Sequence, residues 1–378
     1  MCGFASRRRQ LGLTLIEAMI SIAIGLVVVG AVSYAYLGSK GAYRSNESIA
    51  RIQEAGRFAL DAVTRDIRRT GALGCGTVAS IVTASPVNVV VLPGPGTTIG
   101  IDPTTLNLDP NTNQPMSIRG FVPANYGNGA PTAAPAGWTA PGPAYFNGDV
   151  LQLQIASGVP VRVTTKPNLV TGTMQISNNN LNGNPNFNQP NYALLANCAG
   201  ATIFQVAAAG AATSPATLAF SGPGAVAALS GQTDYGTPTF PTLQHFDQVT
   251  YYVGQVGNSA STALYRYSLD TNQADEVVEN IEDLDVVYGI DTTGSLTAAN
   301  LYEHADLVTA GNNWPNVVSV RVSLIAVGDQ LGATPQQQQL LFRGAGANPV
   351  PLAQPAADSR LRQVFTATAA LRDRLSFQ

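Results

Sequence analysis

The 378-residue chain is long enough for one large domain or two ordinary ones, and only 11% of it is charged against roughly a quarter in ordinary globular chains. A net charge of −3 gives no broad attraction to phosphate, so no nucleic-acid partner is expected. The Gly-, Pro-, Asn- and Thr-rich composition suits an exported β-rich protein.

The first element is a basic leader, residues 1–12, with Arg7, Arg8 and Arg9 ahead of Gly12. Leu13 to Ile16 is uncharged, Glu17 follows, and no charge then occurs from Ala18 to Ser39, 22 residues. As a helix this run spans roughly 33 Å, enough for a bilayer core, and residues 13–39 are read as a transmembrane helix. The three arginines favour a cytoplasmic N-terminus. A carboxylate at the edge of such a span costs on the order of 2–3 kcal/mol without a partner. A cut after Gly12 creates one, the α-amino group of Leu13, cationic below its pKa of roughly 8. A cleaved secretory signal fits less well, because the apolar run is too long and no small-x-small site precedes the next charges. A plain signal anchor has the same hydropathy.

This arrangement resembles the type III signal of type IV prepilins and pseudopilins. The resemblance implies that prepilin peptidase cuts after Gly12 and methylates Leu13, and that Glu17, at the fifth mature position, guides assembly. Leu13 stands where the family often has Phe.

From Lys40 to Arg69 the pattern becomes an amphipathic helix. Ile49, Ile52, Ala55, Ala59, Val63 and Ile67 make one apolar stripe. Glu47–Arg51, Arg57–Asp61 and Asp61–Arg65 are opposite charges four apart on the other face. Gly71 and Gly74 supply the stop, so the amphipathic half is residues 40–71, continuous with the transmembrane half.

The remaining residues, 72–378, form a β-rich head. Eleven prolines fall in residues 86–143 and erase periodicity, so the insert at about 86–145 reads as loop or an irregular lobe. Leu151, Leu153 and Ile155, then Val159, Val161 and Val163, alternate and could pair as a hairpin. Val249-Tyr251-Val253 and Leu264 to Tyr267 are further strands. The cleanest is Val318, Val320, Val322, Leu324 and Ala326, with Ser319, Arg321 and Ser323 outward. Val364 to Leu371 could close the sheet. Ser177 to Asn191 and Gln336 to Gln339 read as surface loops. The expected fold class is α+β, a long N-terminal helix packed on an antiparallel sheet.

Cys2 leaves with the leader. Cys75 and Cys198 remain, an even pair in an exported domain, and read as a disulfide; the alternative is two unrelated buried thiols. His245 and His304 lack a nucleophile context and read as structural, loop-borne residues, so no catalytic residue and no enzyme activity are expected. The acidic run from Asp270 to Asp291 raises calcium, since hard cations take carboxylate oxygens. Asp270 to Asp275 begins like a calcium loop but lacks Gly at its sixth position. A short helix leading into strand Leu284-Val286-Tyr288-Ile290, with an acidic solvent face, is the preferred reading. No metal and no cofactor are expected.

Four blocks look strongly like the PilW family of minor pilins. They are Arg51 to Asp61 through Arg65-Asp66-Ile67-Arg68, Gly71 and Gly74-Cys75; Asn197-Cys198 with Ile203-Phe204-Gln205; Val278 to Leu284 with Tyr288-Gly289; and Arg360 to Thr366 with Leu371-Arg372. The insert lies outside them. The resemblance implies a pilin-like minor pilin in the inner membrane, head in the periplasm, that later sits at a pilus tip. Implied partners are prepilin peptidase, other minor pilins, the major pilin and, as a further candidate, a tip adhesin. A minor pseudopilin of a type II secretion system and a membrane-anchored adhesin are the alternatives.

Overall fold

The computed structural model describes residues 14–73, 76–77, 117–123, 133–165, 168, 170–177, 192–196, 201–209, 215–220, 242–257, 261–329, 340–342, 350–352 and 360–371. Gly12, Leu13, Cys75 and Cys198 lie outside them, as do most of the insert and the segments 178–191 and 330–339.

Helix α1 runs unbroken over 55 residues, Leu15–Arg69, about 80 Å at 1.5 Å per residue. Thr14 caps it, its hydroxyl accepting from Glu17 N–H at 3.4 Å. It ends at Thr70, whose N–H donates to the Ile67 carbonyl, and Gly71 then takes φ +87°, a turn that a side chain would strain. The apolar and amphipathic halves therefore share one axis. The buried residues of α1 all lie between Ser48 and Ile67.

The head holds two large antiparallel sheets. The strands, in chain order, are β1 (Ala72–Leu73), β2 (Gly76–Thr77), β3 (Ile118–Phe121), β4 (Tyr145–Arg162), β5 (Thr173–Ile176), β6 (Tyr192–Ala196), β7 (Ala201–Ala209), β8 (Ala216–Phe220), β9 (Thr242–Gln255), β10 (Thr262–Ser268) and β11 (Gln273–Glu279). They continue as β12 (Ile281–Ile290), β13 (Leu301–Glu303), helix α2 (Ala305–Ala310), β14 (Val317–Val327), β15 (Leu340–Phe342), β16 (Val350–Leu352) and β17 (Arg362–Ala370). One sheet runs β11-β10-β9-β6-β7-β8-β5, with β4 on the other edge of β9 and β3 beyond β4. The second runs β13-β12-β14-β17.

One apolar core joins these layers. It takes Ile52, Ala59, Val63 and Ile67 from α1, Leu151, Leu153, Val249 and Tyr251 from the larger sheet, and Leu284, Val286, Val320, Val322 and Leu324 from the smaller. Strands β4, β9, β12 and β14 present alternate side chains to this core, which the helix stripe also joins.

The sequence-based expectations hold for the α+β class, for the helix and its stripe, and for the strands at 249–253, 264–267 and 318–326. Val364 to Leu371 does close a sheet: β17 pairs with β14 from Val327↔Arg362 to Ser319↔Ala370. Three expectations need correction. The runs 151–155 and 159–163 are not a hairpin: both belong to one strand, β4, up to Arg162, paired along β9 with a register shift between Ser157 and Val161, and Val163 beyond it bridges to Ile176. The strand passes through an irregularity in its pairing and continues in the same direction instead of turning back. The insert contributes β3, whose Ile118 is fully buried; four residues between Pro115 and Pro123 are too few for a period to show. The acidic stretch 273–279 is strand β11, not a helix. Its pairing with β10 outweighs the local acidic composition.

Candidate functional site

Among the described residues, the first half of α1 packs against no part of the head. Leu15, Ile20, Ile24, Val27 and Val32 are all more than half exposed, and so is nearly every side chain down to Tyr43. The helix is long and apolar enough to cross a membrane. Exposed apolar surface of this extent marks a lipid or protein contact. Glu17 is exposed at the third helical position, three residues after Thr14. The spacing Thr-x-x-Glu is that of a capping box, which the sequence reading passed over. It places the acid where the positive end of the helix dipole also favours it.

The second half of α1 is seated on the head by polar as well as apolar contacts. Asp66 is 3% exposed. Its Oδ2 accepts from Tyr251 Oη at 2.8 Å and from Arg266 Nε at 2.9 Å, and Arg69 lies 3.8 Å from Oδ1. Burial pushes the Tyr251 hydroxyl well above its ordinary range, and the Asp66 charge adds to that, so Tyr251 is a permanent donor. Burial works to lower the Arg266 pKa, but Asp66, Tyr251 and Asp247 together outweigh burial and raise it. Asp66 was not singled out by sequence, yet the signal is there: an acid three residues after Val63 falls on the apolar stripe.

The network continues. Arg266 Nη2 lies 3.8 Å from Asp247 Oδ2, which accepts from Ser268 Oγ at 2.8 Å, and Asp270 N–H donates to Asp247 Oδ1 at 3.2 Å. Burial raises the Asp247 carboxyl despite these donors. Asp270 in turn faces His245 Nδ1 at 3.1 Å. His245 is therefore a buried strand residue of β9, not the loop residue expected; His304 does precede α2 from a loop. At its head-proximal start the helix is held by Arg51, which donates to Asp329 Oδ2 and to Glu47 Oε1, both at 2.7 Å.

One glycine–aromatic contact sets how closely the helix lies. A Cβ on Gly56 would stand 2.3 Å from the Phe365 ring of β17. Arg362, 4% exposed at the start of the same strand, donates Nε to Glu282 Oε2 at 2.6 Å and Nη2 to Oε1 at 2.8 Å. This bidentate pair ties β17 to β12 across β14. It joins the sequence block at 278–284 to the block at 360–366, while Gly56 and Phe365 join the helix block to the same strand.

The acidic run does not converge on one point. Asp275, Glu276 and Glu279 are exposed on β11. Asp283 and Asp285 of β12 are buried rather than solvent-facing, because β4 and the segment before α2 cover that strand. Asp291 is wrapped by its own loop, accepting from Thr293, Ser295 and Thr297. Their hydrogen bonds hold its carboxyl well below the usual carboxylate range. Among the described residues the His/Asp group that does converge is Asp149, Asp285 and His304.

Residues 250–373 match the family model of the type IV pilus-assembly protein W. Residues 7–33 match the prokaryotic N-terminal methylation motif. The first match runs from within β9 through β17 and contains Tyr251, Arg266 and Phe365, which touch the helix, and Glu282 and Arg362, which tie the strands behind it. The second brackets Gly12, Leu13 and Glu17. No curated protein and no solved structure matches the chain.

Proposed function

We propose that this chain is a minor pilin that joins a priming and tip complex for type IV pilus assembly. It enters the inner membrane, is cut after Gly12 and methylated on Leu13 by prepilin peptidase, and later stands at the pilus tip. It turns over no substrate. The observation that carries this reading is the division of α1. Its second half is locked into the head by Asp66 and Gly56, while its apolar first half, led by Glu17, is left for lipid and then for neighbouring subunits. In lipid a carboxylate is compensated by the cationic amine of a mature N-terminus, its own or that of the next subunit. The type II secretion reading shares the signal, but the match at 250–373 favours the pilus.

Mass spectrometry of the chain recovered from membranes is expected to show a methylated N-terminal Leu13. The unreduced digest should contain Cys75 and Cys198 in one linked peptide. Glu17→Gln should be trimmed as wild type yet fail to co-purify with the other minor pilins. A mature start elsewhere removes the prepilin reading. Normal assembly by Glu17→Gln leaves a plain membrane anchor.

A further inference from the structure

Three ionisable side chains meet inside the head without any part in helix seating. Asp149 is 2% exposed, Asp285 5% and His304 4%, and one ligating atom from each lies within 4.8 Å of the others. They come from three elements: β4, β12 and the residue that opens α2. We propose that they form a binding site for a first-row divalent cation, of which zinc is the probe, and that the ion clamps the two sheets together.

Charge comes first. Two carboxylates buried side by side repel each other, and a cation between them relieves that repulsion. A doubly charged ion balances both and leaves the imidazole neutral, the form that ligates. The donor set then selects the metal. One nitrogen and two carboxylates suit zinc or manganese, whereas calcium and magnesium prefer all-oxygen sites. Geometry agrees. His304 Nε2 and Asp285 Oδ1 are 2.9 Å apart, a hydrogen bond; all three donor atoms lie within 4.8 Å of one another, so a small opening of that bond to the roughly 3.0–3.4 Å between ligands bound at about 2.1 Å admits the ion.

The chain is shaped to bring these groups together. Beyond the short β13, Val286 N–H donates to Asp149 Oδ2 at 2.8 Å, which sets the plane of that carboxylate as outer partners do at metal centres. Asp149 reaches this place because the β4–β9 register breaks between Asn147 and Leu151. Gly148 there takes φ +93°, and a Cβ on it would stand 2.7 Å from Leu284 N and 2.8 Å from Leu284 O. Only glycine lets the two backbones approach so closely. Asp149 lies outside the matched segment 250–373, so the site completes itself with a residue that the family match does not contain.

The test uses the full chain in detergent, purified through a tag without histidine, stripped with EDTA and dialysed against zinc. Wild type should retain about one zinc per chain and melt higher than the stripped form. Asp149→Asn, folded by circular dichroism, should drop to background zinc. Zinc K-edge absorption of loaded wild type needs no variant, and should show an imidazole and oxygens with no sulfur. Absence of retained zinc, equal retention by Asp149→Asn, or a sulfur shell from cysteine would each overturn the site.

Discussion

At the scale of single residues, the stability of the helix seat rests on Asp66. Its removal leaves the Tyr251 hydroxyl buried without its carboxylate acceptor and strips the partly exposed Arg266 of its closest anion. A lost buried acceptor costs about 1–3 kcal/mol, and a broken buried pair about 3–5. Because Arg266 still reaches water and Asp247, the expected cost of Asp66→Ala is about 3 kcal/mol, read by denaturant unfolding of the full chain. Asp66→Asn keeps one acceptor and should cost less. Asp291 gives a pH prediction. Its folded pKa is depressed by Thr293, Ser295 and Thr297, while an unfolded Asp titrates near about 3.9. Between those values the unfolded chain binds a proton that the folded chain does not. The stabilisation is therefore complete above about pH 4 and is lost as pH falls through the folded value. Wild type should lose its melting temperature faster than Asp291→Asn below about pH 4. Equal slopes would show that the loop does not hold the charge.

At the scale of elements, α1 sets two magnitudes against each other. Gly56→Ala gains about 1 kcal/mol of helix propensity but pushes a methyl into the Phe365 ring, and overpacking of this kind costs typically about 1–3 kcal/mol. The second effect should win, so the variant is expected to be less stable, with Phe365→Leu restoring part of the loss. Gly41, with nothing within 4 Å of its would-be Cβ, should show the gain alone when changed to Ala. A more stable Gly56→Ala would mean that β17 yields at no cost. Elements also show what was legible in the residues. The helix was, because its stripe repeats over five turns and its end carries a glycine. So was β14, whose valines alternate without interruption. The hairpin at 151–163 was misread because alternation reports which face a residue takes, not which strand pairs with it. Strand β11 was misread because its partner β10 decides its conformation and cannot be seen from Gln273–Glu279 alone.

At the scale of the whole molecule, the blocks that carried the family resemblance turn out to be neighbours. Residues 278–284 and 360–366 meet through Glu282 and Arg362, and the helix block meets β17 through Gly56 and Phe365. Their types and order were legible in the sequence; their contacts were not, because each joins residues 80 or more positions apart. The exposed half of the candidate site was legible too, since Glu17 breaks an apolar run. The buried half was not, since nothing local marks Arg266 or Tyr251 as partners of Asp66. The unbroken α1 has a mechanical consequence. Among the described residues it is a rod held at one end, from Ser48 to Ile67, so a load on its other end reaches the head in one of two ways. A pull along the axis shears the whole buried stripe at once, with Asp66, Gly56 and Arg51 resisting together. A sideways push acts through a lever longer than the grip, and peels the helix away turn by turn from Ser48 and the Arg51–Asp329 pair inward. The joint is strong in tension and weak in bending.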